Sequence, residues 1–134
     1  MTDHQSFPDL EALCSQVLRN ELSARVYSSI PSNPTYPLIT IKRIGGIPAV
    51  IQRLDAAALQ VEVWGNSKSE ARDLADSARV ELHEMEGKIY STGSGYVADA
   101  VVTAVRDNLG LTWLPDDLTD RDRYLFGVRV YAHP

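Results

Sequence analysis

Residues 59–87 read LQVEVWGNSKSEARDLADSARVELHEMEG, and the hydrophobic period changes in mid-stretch. Leu59, Val61 and Val63 alternate with Gln60, Glu62 and Trp64, the two-residue repeat of a half-buried antiparallel strand. After Gly65 the period becomes helical. Ala71, Leu74, Ala75, Ala78, Leu82 and Met85 fall on one face, with Arg72, Asp73, Asp76, Arg79 and Glu86 mostly around the other. Ser67 and Glu70 have the spacing of a capping box, and Gly87 is placed to end the helix. The alanines leave room for close packing on a sheet. Trp64 is the odd member, a large aromatic on the strand's polar face.

Working toward the N-terminus, PLITIKRIGG supplies a short β-branched strand, Leu38 to Ile44, that enters a turn at Gly45-Gly46. The residues between the two strands, IPAVIQRLDAAA, are apolar at Ile47, Val50, Ile51 and Leu54, in a connection longer than a tight hairpin needs. Such a loop either folds back on its own core or meets a partner. VYSSIPSNPTYP spaces Pro31, Pro34 and Pro37 three apart and reads as a loop with an edge strand at most. Before it, Leu10, Leu13, Cys14, Val17, Leu18 and Leu22 mark one face of a helix over Asp9 to Ala24, with Pro8 and Asp9 suited to its start. Residues 1–8 are expected to form a flexible tail.

Toward the C-terminus, the Gly-Ser-rich STGSGYVADA leads into ADAVVTAV and then RYLFGVRVYA, two further strands joined by DNLGLTWLPDDLTDRD. Trp113 and Leu114 extend the first of them, and Pro115-Asp116-Asp117 turns the chain. Residues 1–134 are therefore expected to form one α+β domain. Two helices would pack on one face of a mostly antiparallel sheet of about four strands, with long partner-facing loops.

With 44% hydrophobic and 23% charged residues, the composition is that of a globular chain and not of a disordered one. A net charge of -5 argues against a broad grip on nucleic acid or anionic lipid, which needs a basic face. The single cysteine, Cys14, forms no internal disulfide, and no run approaches the length of a membrane span. The chain is expected to be made in the cytoplasm and to go where its partners go.

Gly93-Ser94-Gly95-Tyr96-Val97-Ala98 spells the G-x-G-x-x-A of a dinucleotide loop, but in the wrong context. That loop follows a strand and opens a helix, whereas here a helix precedes the glycines and a strand follows them. The acidic run Asp116, Asp117, Asp120 and Asp122 lacks the mid-loop glycine and terminal glutamate of a calcium loop. His4, His83 and His133 have no paired spacing, Cys14 sits on an apolar stripe, and Ser94 lies in no nucleophile elbow. No catalytic constellation, cofactor site or metal site is expected. Ile47, Val50 and Ile51 in the apolar loop, the outward Trp64, and Tyr90 and Tyr96 around the glycines are the candidate protein-interface residues.

PLITIKRIGG, then LDAAALQVEVWGNSKSEARDLADSARVELHEMEG, then GLTWLPDD and the closing RYLFGVRVYAHP resemble the tail terminator proteins of long-tailed phages (siphoviruses). The likeness runs from Leu10 to Pro134. It implies a structural virion protein of the tail-neck junction with no enzymatic activity. Such a subunit forms a ring, hexameric in that family, that caps the tail tube, stops its polymerisation and joins the tail to the head-side connector. Its implied partners are further copies of itself, the major tail tube protein and the connector or stopper protein; DNA passes through the lumen without specific binding, and no membrane is involved. The alternatives are a neck stopper or adaptor of the head-tail interface, and a small nucleotide-binding domain using the Gly93–Gly95 turn.

Overall fold

The structure, a computed structural model, describes residues 7–50 and 54–134, and for residues 47–50 the backbone only. The elements are α1 (Leu10–Leu22), β1 (Val26–Tyr27), β2 (Leu38–Val50), β3 (Leu54–Trp64), α2 (Lys68–His83), β4 (Ile89–Tyr90), a 3-10 turn (Thr92–Ser94), β5 (Ala100–Trp113) and β6 (Arg123–His133).

Both helices begin where the chain supplies an acceptor. The Asp9 carboxylate accepts from the Ala12 N–H at 3.0 Å, and the Ser67 hydroxyl accepts from the Glu70 N–H at 3.1 Å. Glu70 reaches back one residue further than the usual box and takes the Asn66 N–H at 2.8 Å. The apolar faces read from the sequence are the buried ones: Leu10, Leu13, Val17 and Leu18 from α1, and Ala75, Ala78 and Leu82 from α2. They close over Ile39, Ile41, Leu59, Val61, Val63, Phe126, Val128 and Val130 on one face of the sheet. Cys14 is fully buried in this layer, and burial pushes its thiol up to about 12.

The sheet corrects the expectation of about four mostly antiparallel strands. It has six, in the order β1-β2-β3-β6-β5-β4, curled into a half-barrel, and β1 runs parallel to β2 while every other pair is antiparallel. The two additional strands, β1 and β4, are two residues long, too short to show a period in the sequence.

The apolar connection is also corrected. Gly45-Gly46 follows a bulge at Ile44 within a hairpin arm and is not the turn that ends it: β2 runs on to Val50, and its partner β3 starts at Leu54. Gly46 lies at φ +102°, and a Cβ there would stand 2.0 Å from the Ala56 carbonyl oxygen, so only glycine lets the arms stay paired. Along the arm, Arg43 grips the buried Asp55 carboxylate with two hydrogen bonds of 2.5 and 2.8 Å, so the buried charge is paired. Ile47 pairs with Ala56 and Val50 with Leu54 through the backbone; Ile51 lies outside the described residues.

Candidate assembly surface

α2 hands the chain to the glycine-rich turn through Met85 and Gly87, and the turn is a fixed structure. The Gln16 side chain, projecting from α1, donates to the Gly95 carbonyl at 2.9 Å and accepts from the Val97 N–H at 2.8 Å. Ser91 caps the 3-10 turn, and Asp99 accepts from the Thr92 N–H at 2.7 Å. The glycines therefore lead through a short, pinned turn into β5, with no helix N-terminus aimed at them to receive a pyrophosphate.

Tyr90 is 6% exposed and belongs to the core, where it meets the half-buried Tyr96 edge to face with ring centroids 4.8 Å apart. Burial pushes the Tyr90 phenol up to about 12. The two rings, with Val17, Asn20, Glu21, Glu81 and Lys88, line a cleft of about 40 Å³ between the helices. That is room for a water or two and far below what a nucleotide needs.

Trp64 does not stand outward. It is 1% exposed, because the segment between β5 and β6 folds across the helix-free face of the sheet and covers it. Its indole Nε1–H donates to the Asp116 carboxylate at 3.1 Å, and the Arg123 guanidinium lies 5.7 Å from the ring. The sequence reads the correct face, but alternation says nothing of a loop arriving from fifty residues away.

This covering segment forms one end of the molecule. Asp116 accepts from both Trp64 and the Leu118 N–H, while Arg121 lies over the Tyr36 ring at 3.8 Å and donates to Asn66 at 3.2 Å. Burial works to raise the Asp116 carboxyl, but the hydrogen bonds from Trp64, Leu118 and Thr119 outweigh it and hold the group below its ordinary value. On the firm base so made, three apolar side chains face solvent: Trp113, Leu114 and, almost wholly exposed, Leu118. Elsewhere Ile44 on β2, Ile89 on β4, Val97 in the turn before β5 and Leu109 on β5 are also exposed. None of these was singled out by the sequence reading as an interface residue; the available signal was a leucine isolated in an acidic turn, Asp117-Leu118-Thr119-Asp120.

The ionisable groups are used structurally. Asp107 on β5 takes two hydrogen bonds from Arg79 and stands 2.7 Å from the His83 ring, tying α2 to the sheet. Arg79 is the main cause of its lowered carboxyl. Glu86 accepts from the Val105 N–H at 2.9 Å and pairs with Arg106. Among the described residues no three His, Cys, Asp or Glu side chains converge on a metal-sized space.

Three comparisons bear on this arrangement. The family model for the tail completion protein gp17 matches residues 10–130. No curated protein matches. Among solved structures, a chain from the virion of a native gene transfer agent (GTA) particle superposes with a TM-score of 0.63 at 14% identity, over 93% of this chain and 95% of that one, a likeness of fold. The family match begins at the first residue of α1 and ends within β6, taking in every element between. The chain therefore belongs to the tail completion protein gp17 family, and is a tail-terminator-type structural protein of the phage virion.

Proposed function

We propose that the subunit assembles into a hexameric ring on the last ring of the tail tube, stops the tube's growth and offers its other face to the head-side connector. The observation that supports this most is that the family match spans the whole architecture, so the entire fold is the tail-completion unit. The role needs no chemistry: the protein acts as a structural part and not as an enzyme. It needs head-to-tail contacts that close, and two unlike faces. The sheet has unlike ends to provide them. One carries the β2–β3 arm as it runs through Ile47 to Val50, and the other carries Trp113, Leu114 and Leu118 on the β5–β6 segment. Tyr96, half-buried over Tyr90, lies beside a subunit boundary, and Trp64 serves from within by holding the β5–β6 segment in place. DNA passes through the lumen without specific contacts.

The test is to mix the purified protein with tail tubes lacking their terminator and to view the tube ends by negative-stain electron microscopy. Rings seated on tube ends, with tube length fixed, are expected. A protein that stays monomeric and ignores tube ends, or that binds DNA-filled heads instead, overturns the reading in favour of a stopper or adaptor. Ile51→Asp is expected to leave the thermal transition unchanged and to abolish capping. If Ile51→Asp unfolds the subunit, that apolar stretch belongs to the core and not to the partner.

A further inference from the structure

The sheet ends on both sides in a long strand that is only partly covered. β1 pairs with β2 at Ile39 and Thr40 alone, and β4 with the residues before it covers β5 only as far as Val102. Among the described residues, no backbone partner lies along the outer edge of β2 at residues 41–50 or of β5 at residues 103–113. Each edge has one amide stoppered by a glutamate: Glu11 of α1 takes the Arg43 N–H at 2.7 Å, and Glu86, in the turn after α2, takes the Val105 N–H at 2.9 Å. Each edge also presents exposed apolar side chains, Ile44 on β2, and Leu109 and Trp113 on β5. Long edges of this kind are templates for another strand.

We infer that the outer edge of β2 in one copy pairs with the outer edge of β5 in the next, making one continuous antiparallel sheet around the ring. Three features choose a second copy as the occupant. The first is direction. β2 and β5 run oppositely within the sheet, so two copies standing side by side with the same end up bring them together antiparallel, like every other pair of long strands in the fold. The second is cover. β1 blocks β2 near one end of the sheet and β4 blocks β5 near the other, so each block falls outside the stretch its neighbour needs.

The third is register. Arg43, Leu59, Val128 and Asp107 lie in one row across the four long strands, and Lys42, Gln60, Gly127 and Leu109 in the next. From these rows, the free stretch of β5 comes level with the free stretch of β2 after a slide of about two residues, an even step that keeps side chains outside the bulges on their own faces. The same slide places Leu109 of one copy beside Ile44 of the next, two exposed apolar residues that cover each other. A stagger at every junction is what a closed, tilted-strand barrel requires. The bulges at Arg43/Gly45 in β2 and at Asp107/Leu109 in β5 make both edges irregular, which discourages pairing with an arbitrary strand.

The inference rests on the ring reading above, and the experiment separates the two. Ile44→Cys, Leu109→Cys and the double variant are each mixed with tail tubes, oxidised mildly, viewed by electron microscopy and run on non-reducing gels. The native Cys14 is buried and silent. Opposed residues of an antiparallel pair fall within disulfide reach. The double variant is expected to give a covalent ladder ending at the closed ring, with neither single variant linked. Amide exchange at residues 41–46 and 103–113 is expected to slow at least tenfold on ring formation in the unmodified protein. Rings that form with no ladder and no change in exchange overturn the edge inference and leave the ring standing. A ladder that runs on as an open polymer supports the edges and overturns the closed ring. Cross-linking of a single variant shows a two-fold contact and overturns the head-to-tail junction, and a protein that neither links nor forms rings overturns both.

Discussion

Gly65 stands between the last residue of β3 and the cap of α2, where a Cβ would lie 2.6 Å from the Ala71 backbone nitrogen and 3.0 Å from its Cβ. Neither atom can give way, because Ala71 is fully buried in the first turn of a helix packed on the sheet. The glycine also donates its N–H to the Asp122 carbonyl at 3.1 Å, fastening the β5–β6 segment to the same junction. Gly65→Ala is therefore expected to cost about 2 kcal/mol through overpacking, lowering Tm by several degrees in a calorimetric scan. A variant as stable as the original would mean that α2 can lift off the sheet without penalty. The same junction explains why VEVWGNSKSE is so legible: a strand period, a tight glycine and a cap follow one another with no residue to spare.

At the scale of elements, the Gln16 side chain is what joins α1 to the glycine turn. Both of its hydrogen bonds are exposed, so Gln16→Ala is expected to cost only about 1 kcal/mol of global stability. Its larger effect is local: hydrogen exchange at the Val97 amide, which loses its acceptor, should rise while exchange in α1 and β6 stays unchanged. Unaltered exchange at Val97 would show that Ser91 and Asp99 hold the turn by themselves. Contacts of this kind separate what the sequence reveals from what it hides. The helices and the β3 strand were readable because their periods, caps and partners are local. The length of the β2–β3 arm is not, because Gly45-Gly46 signals a turn, and only the pairing with Ala58 and Ala57 keeps the two glycines inside the arm, just past a bulge. Trp64 was misread as outward for a similar reason, since what buries it is a segment from the far end of the chain. Tyr90 and Tyr96 stand out in the sequence only as aromatics around the glycines; that their rings meet, with Tyr90 turned inward, belongs to the fold.

For the whole molecule, three carboxylates add polar ties between elements at the margins of the apolar core. Asp107 ties α2 to β5, Glu86 ties the end of α2 to the edge of β5, and Asp116 ties the β5–β6 segment to Trp64. All three are held below their ordinary values by the hydrogen bonds they accept. A carboxyl lowered on folding contributes stability that is fully present above its unfolded value and is lost as pH falls through the folded one. With ordinary values of 3.8 for the aspartates and 4.5 for Glu86, Tm is expected to be level from neutral pH down to about 5 and to fall steadily below about 4. The order of loss follows from exposure. Glu86 lies at the surface and stoppers the Val105 N–H, so its protonation frees the β5 edge while the core is still intact. Light scattering during an acid titration should then rise before far-UV circular dichroism changes, as subunits join through uncovered edges. In Glu86→Gln the scattering step is expected to lose its dependence on pH over this range, because that side chain no longer titrates. Scattering that rises only together with unfolding would show that the glutamate does not guard the edge.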